Sequence, residues 1–237
     1  MATQTSVPGQ VPSDGHASRV EIAGHRVNAA VLAWAAMAVV GLGGFIALTI
    51  ALLSHVVFPF DQTLLDDARS FSAYATLWRI LSETANIPLI VIGVGMIGWL
   101  FFTGRRREAV IIAILLIAVT AGSEGVKQLV SRPRPSGTDP NIPGVVYSFP
   151  SGHVLEALSI FGIAAIRIAR KAVSGALVAF VAVALVIEVF LVGFARVALA
   201  AHYPTDVLAG WFGGAGLLGC YGLLTHGRAD ERPKPQR

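Results

Sequence analysis

The sequence predicts an all-α fold, a polytopic bundle of six transmembrane helices with short interfacial helices between the first two. Of its 237 residues, 54% are hydrophobic and only 14% are charged, whereas a soluble domain is about a quarter charged. The apolar residues also gather into blocks of about 18 to 25 residues, the length that crosses the hydrocarbon core of a bilayer. One membrane domain with short tails is therefore expected, and an ordinary soluble domain is excluded.

Six apolar blocks define the predicted spans. They cover residues 28–55, 85–103, 108–129, 151–168, 174–194 and 204–225, so the membrane domain is expected to run from 28 to 226. Between the first two blocks, residues 60–83 carry apolar side chains at amphipathic spacing, among them Leu64, Leu65 and Ala68. That spacing predicts short helices lying in the membrane interface rather than another span.

The two ends of the chain are predicted to be tails. Residues 1–27 are polar and contain Pro and Gly, which predicts a disordered segment. They lack the basic start and short apolar core of a cleavable signal peptide, so the first apolar block is expected to remain as a helix. Residues 227–237 form a second charged tail. Cys220 is the only cysteine, which excludes an intrachain disulfide.

The distribution of Lys and Arg predicts the orientation. If the N-terminus is cytoplasmic, twelve of the 18 basic residues fall on the cytoplasmic side and six on the other. Cytoplasmic loops are enriched in basic residues, so both termini are predicted to be cytoplasmic. The six outer residues are Arg69, Arg79, Lys127, Arg132, Arg134 and Arg196. Because the positive charges sit at the ends of spans, no nucleic-acid partner is expected.

Three polar segments reach the same outer membrane face and predict a phosphate site. They are residues 127–135, 150–153 and 196–206. Lys127, Arg134 and Arg196 supply cations around a tetrahedral oxyanion, and an Arg can grip two of its oxygens. Phosphoryl transfer mainly requires neutralisation of the transferring oxygens. No carboxylate cluster accompanies these residues, so no metal ion or other cofactor is predicted.

The second segment adds backbone and hydroxyl donors. Ser151 is predicted to cap the fourth predicted span, and Gly152 allows the backbone to approach an anion closely. The free N–H groups of a helix N-terminus favour a bound phosphate. Ser151 and Gly152 are therefore predicted to bind substrate.

Two histidines complete the predicted chemistry. A neutral imidazole can attack phosphorus and form a phosphohistidine, provided that an acceptor holds its other ring nitrogen as N–H. Asp206 lies four residues after His202, one helical turn away, and is predicted to orient it. His153 is then predicted to protonate the leaving oxygen and later to activate water.

These segments resemble the three signatures of the type 2 phosphatidic acid phosphatase superfamily, which also includes vanadium haloperoxidases and glucose-6-phosphatase. The signatures are Lys-x6-Arg-Pro, Pro-Ser-Gly-His and Ser-Arg-x5-His-x3-Asp. They match Lys127, Arg134 and Pro135, then Pro150 to His153, then Arg196, His202 and Asp206. One departure is Ala195, where the family usually has Ser. The resemblance implies for these residues the catalytic and phosphate-binding roles described above. It also implies that the protein is a bacterial, undecaprenyl-diphosphate-phosphatase-like member of the superfamily, located in the inner membrane.

Four charged residues are left without an assigned role. Arg132 lies inside the first segment but at no fixed position of its signature, which leaves contact with substrate or with lipid headgroups open. Glu124, Glu156 and Glu188 lie in apolar segments, where acidic residues are functional candidates. Glu124, one turn before Lys127, is a candidate to pair with it. Glu156, one turn after His153, is a candidate either to tune that histidine or to face a wet cavity, and Glu188 has no obvious partner.

The predicted function is hydrolysis of a lipid phosphate or diphosphate in the membrane. Undecaprenyl diphosphate, phosphatidic acid and phosphatidylglycerol phosphate are the candidate substrates suggested by the resemblance. Two alternatives remain open. A lipid or sugar hydroxyl that resolves the phosphohistidine gives a phosphotransferase, and a site without turnover gives a binding or transport protein. Transport is disfavoured because the charges concentrate on one face instead of running through several helices.

Overall fold

The protein is described from a computed structural model, which describes residues 19–22, 25–138, 147–172 and 174–226. Within those residues the chain forms two short strands and eight α-helices. The strands are β1 (Arg19–Ile22) and β2 (His25–Asn28). The helices are α1 (Ala29–Leu53), α2 (Pro59–Arg69), α3 (Ala75–Glu83), α4 (Ile87–Phe102), α5 (Arg106–Val130), α6 (Gly152–Ala169), α7 (Gly175–Ala198) and α8 (Pro204–Thr225).

Six helical segments of the described chain are long and apolar enough to cross a membrane. Five of them are the single helices α1, α5, α6, α7 and α8. The sixth runs over Ser72–Phe102 and combines a 3₁₀ turn, α3 and α4. The predicted all-α bundle with six spans is thus confirmed.

The second span differs from the prediction because it is broken. α4 has 16 residues, about 24 Å of helix, which is shorter than the roughly 30 Å of a bilayer core. α3 precedes α4 in the same candidate segment and packs against α7, where the Trp78 and Phe194 ring centroids are 5.1 Å apart. Residues 60–83 thus form the short helices α2 and α3 between the first two predicted spans, and the candidate span Ser72–Phe102 includes α3. Only α2 remains outside the candidate spans.

The N-terminal segment also differs from the prediction in part. β1 and β2 pair antiparallel, with Arg19 opposite Asn28 and Ile22 opposite His25. Asn28 then caps α1, because its side chain accepts a hydrogen bond from the N–H of Ala30 at 2.9 Å. The predicted disordered tail over residues 1–27 is thus corrected for residues 19–22 and 25–27, while the rest of it and the tail 227–237 lie outside the described residues.

α8 is the central helix of the bundle. In its most apolar 18-residue stretch 61% of the residues are buried, against 11% for α1. Glycines allow this packing: a Cβ built on Gly41 of α1 would lie 2.2 Å from the backbone N of Gly216 in α8. Close approach of this kind is common between membrane helices.

Two apolar clusters fill the interior. One joins α2, α3, α6, α7 and α8 through Leu65, Trp78, Val154, Val192 and Val207, among others. The other lies toward the opposite ends of the helices and contains Leu100, Ile112, Ile163, Leu218 and Tyr221. The first cluster underlies the polar residues described next and fixes the helix ends that carry them.

Four helix termini meet at one end of the bundle. α5 and α7 end there, and α6 and α8 begin there. The backbone N–H of Ser151, which precedes α6, donates to the carbonyl of Asp206 in α8 at 3.0 Å. α7 also continues to Ala198 rather than ending at 194 as predicted, so Arg196 lies in its last turn. The three predicted polar segments are therefore neighbours in space.

Candidate active site

Lys127 is the cation at the end of α5. It is buried, and its ammonium contacts the carboxylate of Glu124 one turn earlier, as predicted. A Cβ built on Gly152 would lie 3.5 Å from the Lys127 Nζ and 3.8 Å from the Ser123 Oγ. A side chain at 152 would therefore occupy the space between Lys127 and the N-terminus of α6. Glycine at this position keeps that space open.

Arg196 is the cation contributed by α7. It is 4% exposed, and its Nη1 donates to the Ser82 Oγ of α3 at 2.9 Å. Its Nε is buried and finds no partner in the described part of the chain. Since a buried donor without a partner is costly, this atom is available to an anion.

Arg134 approaches from the loop after α5. Its Nη1 lies 3.4 Å from the carbonyl oxygen of Ala201, in the turn between α7 and α8. Burial lowers the pKa of Arg134, and the nearby Asp206 carboxylate opposes that shift. Arg134 and Arg196 are both electrostatic neighbours of His202. Together with Lys127 they are also electrostatic neighbours of His153, so the three predicted cations surround the same histidine.

Ser151 occupies the N-cap position of α6 but does not act as predicted. Its side chain makes no capping hydrogen bond, and its hydroxyl is buried without a partner among the described residues. The Ser123 hydroxyl is buried in the same state. Two unpartnered hydroxyls beside a helix N-terminus and Lys127 suit the oxygens of a phosphate.

His202 is almost fully buried between α7 and α8. Its Nδ1 lies 2.6 Å from the carbonyl oxygen of Ser148, which can only accept, so Nδ1 carries the proton and Nε2 the lone pair. Burial lowers the pKa of His202 from 6.5 to about 4. The charges of Arg196 and Arg134 lower the pKa further, whereas the nearby Asp206 carboxylate raises it. The ring is therefore neutral at physiological pH.

Asp206 does not hold the imidazole in the way that the sequence predicts. Its Oδ2 is 3.6 Å from the His202 Nδ1, longer than a hydrogen bond. That oxygen instead accepts from the Tyr203 N–H at 2.8 Å, and Oδ1 accepts from the Arg132 Nη1 at 2.6 Å. The reason is that Asp206 is in the first turn of α8, where it completes the helix cap, and Ser148 fills the position beside the ring.

His153 lies in the first turn of α6 and is half-buried. Its ring makes no hydrogen bond to the described part of the chain, and its electrostatic neighbours are Arg196, His202, Lys127 and Arg134. The two histidines are thus on the same side of the bundle and within one cationic environment.

Ala195, where the family usually has Ser, is fully buried and belongs to the apolar cluster around Val192 and Val207. A Ser at this position would enter the same apolar surroundings.

The three membrane acids lie in different surroundings. Glu156 is one turn after His153 and accepts from the Thr120 hydroxyl at 3.1 Å. Glu188 does have a partner, since the Thr84 hydroxyl is 2.6 Å from its Oε1. Thr84 lies at the end of α3, at the break between α3 and α4, so this hydrogen bond links α7 to the break. Contact with Lys127 makes Glu124 the acid nearest to the predicted phosphate site.

Three residues near the site, Asp61, Ser82 and Ser148, are not predicted from the sequence. Asp61 of α2 binds Arg132 and the Thr205 amide, and it shares the buried face of α2 with Leu65 and Ala68. A carboxylate at i beside apolar residues at i+4 and i+7 was a readable signal of a buried acid. Ser82 and Ser148 have no such sequence signal. Ser82 acts through a hydroxyl that contacts the distant Arg196, and Ser148 acts through its backbone carbonyl.

Comparison with known protein families identifies the family of the chain. Residues 108–228, just over half of the chain, match the family described as the PAP2 superfamily, and the chain belongs to that superfamily. No curated protein matches the sequence. Fold and family together define a multi-pass membrane phosphatase.

Among solved structures, the chain is similar to one described as the first transmembrane PAP2 type phosphatidylglycerolphosphate phosphatase from Bacillus subtilis. The TM-score is 0.65 at 18% sequence identity, over 82% of this chain and 100% of that chain. At this identity the likeness establishes the shared fold, which is that of a transmembrane PAP2 protein.

Proposed function

We propose that this protein hydrolyses a phosphate or diphosphate group on a membrane lipid through a phosphohistidine formed at His202. The observation that supports it most directly is the state of the His202 ring. The Ser148 carbonyl accepts from Nδ1 at 2.6 Å, and burial keeps the ring neutral with a pKa of about 4. Nε2 therefore offers its lone pair at the pH of the cell.

In the first step Nε2 of His202 attacks phosphorus, and the bond from phosphorus to the lipid oxygen breaks. Lys127, Arg134 and Arg196 neutralise the equatorial oxygens, with the α6 N-terminus adding amide donors. A protonated His153 gives its proton to the leaving lipid oxygen. Charge neutralisation by three cations is the reason to expect turnover without a metal ion.

In the second step the now neutral His153 takes a proton from water, whose oxygen attacks the phosphohistidine. The phosphorus–nitrogen bond breaks, and inorganic phosphate leaves. His153 is then protonated again and His202 is neutral, so the cycle closes without an added proton donor or acceptor.

The substrate is proposed to be an anionic lipid presented at the outer membrane face. The site lies at the end of the bundle where α5 and α7 end, at headgroup level, so the tail stays in the bilayer. Undecaprenyl diphosphate, phosphatidic acid and phosphatidylglycerol phosphate all carry the required group. The last of these is the class of substrate named for the structural relative.

The test is phosphate release by the purified protein in detergent with a chelator present, from each of the three lipids. His202→Asn is the inactive variant, and His55→Asn is the matched control, because His55 is an exposed histidine outside the site. We expect release by wild type and by His55→Asn, and a loss of at least about a thousandfold in His202→Asn. Equal rates in His202→Asn and wild type would contradict the assignment.

The covalent intermediate is tested separately with p-nitrophenyl phosphate, whose leaving group needs no proton. In His153→Ala the first step is then expected to proceed while attack by water is slow. A phosphohistidine that is labile to acid should accumulate on His202 and be located by mass spectrometry. Its absence from His153→Ala during rapid nitrophenol release would exclude this mechanism.

A further inference from the structure

A buried ionic bridge lies beside the predicted site, and its central residue stands at no fixed position of the family signatures. It consists of Asp61, Arg132 and Asp206. The Arg132 Nη2 donates to the Asp61 Oδ2 at 2.7 Å, and its Nη1 donates to the Asp206 Oδ1 at 2.6 Å. The side chains of Asp61, Arg132 and Asp206 are 5%, 16% and 0% exposed. One guanidinium thus joins two carboxylates that lie 145 positions apart in the chain.

Asp61 also fixes the start of α8. Its Oδ1 accepts from the Thr205 N–H at 2.8 Å, and its Oδ2 accepts from the Thr205 hydroxyl at 2.7 Å. The same hydroxyl oxygen accepts from the Arg132 Nη1 at 2.6 Å. The Thr205 amide is in the first turn of α8, where a helix has no intrahelical acceptor. A carboxylate of α2 therefore caps the helix that follows His202.

Arg132 reaches His202 by two routes. Through its side chain it holds Asp206, whose other oxygen accepts from the backbone N–H of Tyr203, the residue after His202. Through its backbone carbonyl it accepts from the Ser148 N–H at 2.8 Å, and the Ser148 carbonyl holds the His202 ring. The guanidinium also lies 4.0 Å from the centroid of the Tyr203 ring.

The charges of the bridge argue against phosphate binding by Arg132. Both terminal nitrogens of its guanidinium already donate to carboxylates. Burial lowers the pKa of Arg132, but the charges of Asp206 and Asp61 and the hydrogen bonds to them together raise it above the usual value. Two carboxylates and one guanidinium leave the bridge with a net negative charge. Such a group repels a phosphate, whereas Lys127, Arg134 and Arg196 attract it.

We propose that Asp61 and Arg132 are positioning residues, which hold the His202 ring in place through Thr205, Asp206 and Ser148. The role in catalysis rests on the proposed function, since it assumes that His202 attacks phosphorus. The role in orienting the ring does not depend on turnover. Arg132, left open by its sequence position, is assigned to the protein framework instead of the substrate.

The experiment compares Asp61→Asn with Asp66→Asn, an exposed aspartate on the same helix. We expect Asp61→Asn to lower kcat for dioctanoyl phosphatidic acid about 10- to 100-fold, because a small displacement of a reacting group is costly. KM should change less than about threefold, since the phosphate ligands remain. Asp66→Asn should keep wild-type kcat and KM.

A second readout needs no turnover. In protein labelled with ¹⁵N-histidine, His202 is identified by the signals missing from His202→Asn. Wild type should show a single tautomer protonated at Nδ1, and Asp61→Asn should show altered ¹⁵N shifts or a mixture of tautomers. If wild type releases no phosphate, the proposed function fails, yet altered His202 signals still support the positioning role. Unchanged signals, or kcat within about twofold of wild type, would overturn it.

The link through Arg132 is tested by a double-mutant cycle. If Asp61 acts through Arg132, Asp61→Asn with Arg132→Gln should lose no more activity than the worse single variant, whereas Asp66→Asn with Arg132→Gln should be additive. Additive losses in the first pair would contradict the link. If Asp61→Asn does not fold, Arg132→Lys replaces it, because a lysine keeps the charge but cannot bind both carboxylates in fork geometry. Wild-type kcat and His202 signals in Arg132→Lys would likewise overturn the proposal.

Discussion

The His202 ring is oriented by the backbone carbonyl of Ser148, and the Asp206 carboxylate lies farther from the ring. The Ser148 oxygen is 2.6 Å from Nδ1, and the nearer Asp206 oxygen is 3.6 Å away. A neutral acceptor fixes the tautomer without strongly favouring the imidazolium. This combination leaves the ring both oriented and unprotonated, which is the state that a nucleophile requires.

The first prediction concerns the pH dependence of stability. The pKa of His202 is about 4 in the folded protein and about 6.5 when unfolded. As the pH falls from 6.5 to 4, His202 binds a proton in the unfolded chain but not in the folded chain. The free energy of unfolding therefore decreases over this pH range, by about 3 kcal/mol. Relative to His202→Asn, the Tm of wild type should fall by about 5 to 10 °C between pH 7 and pH 4.

The measurement is thermal unfolding of both proteins in detergent at each pH. His202→Asn lacks the titrating group, and all other groups cancel in the difference between the two curves. Parallel curves would show that His202 titrates normally in the folded protein.

The second prediction concerns the support of Arg196. Ser82→Ala removes the hydroxyl that accepts from Nη1 at 2.9 Å, and a hydrogen bond to a charged group contributes about 1.5 to 3 kcal/mol. Inhibition by orthovanadate, a phosphate analogue, should weaken by about tenfold or more. Ser72→Ala, an exposed serine at the start of the same span, serves as the control. Equal inhibition of both variants would mean that Arg196 needs no anchor on α3.

At the scale of elements, the tight contact between α1 and α8 sets the centre of the bundle. Gly41 and Gly216 allow the two backbones to touch, and a Cβ on Gly219 would meet the backbone N of Ala38 at 2.3 Å. Such contact positions α8, whose first turn carries Asp206. The element therefore connects membrane packing with the geometry of the site.

The third prediction follows from this contact. Gly41→Ala places a Cβ 2.2 Å from the Gly216 N, while Gly43→Ala on the same helix meets no atom within 4 Å. Overpacking costs about 1 to 3 kcal/mol, so Gly41→Ala should lower the Tm by about 3 to 10 °C. Gly43→Ala should leave it within about 2 °C. Thermal unfolding of both variants decides, and equal Tm values would mean that the helices separate without cost.

For the whole molecule, the asymmetry of charge is the physical basis of its predicted orientation. Three consecutive Arg residues stand at the start of α5, at 105–107, and residues 167–171 at the end of α6 are also basic. Both lie at the end of the bundle opposite the candidate site. The positive-inside rule therefore predicts that this end is cytoplasmic and that the candidate site lies outside.

The fourth prediction tests this orientation. In a Cys220→Ala background, Ser136→Cys near the candidate site should react with a membrane-impermeant maleimide added to intact cells. Thr103→Cys, at the opposite end, should react only after the membrane is permeabilised. Both positions are exposed in the structure. The reverse labelling pattern would invert the topology and place the candidate site in the cytoplasm.

The sequence by itself determined the membrane class, the six spans and the eight signature residues of the site. Apolar blocks report spans directly, because a bilayer core demands about 20 apolar residues per helix. The signatures could be read because their residues lie within a few positions of one another. Their common location followed from counting how often the chain crosses the membrane, and the structure brings them to one end of the bundle.

Only the tertiary structure decided what supports those residues. Asp61 meets Arg132 and Thr205 across long stretches of chain, and Ser148 acts through a carbonyl that every residue type possesses. The broken second span depends on the packing of α3 against α7, which hydropathy does not report. Hydrogen bonds between distant segments leave no periodic trace in a sequence, because their geometry arises only when the helices pack.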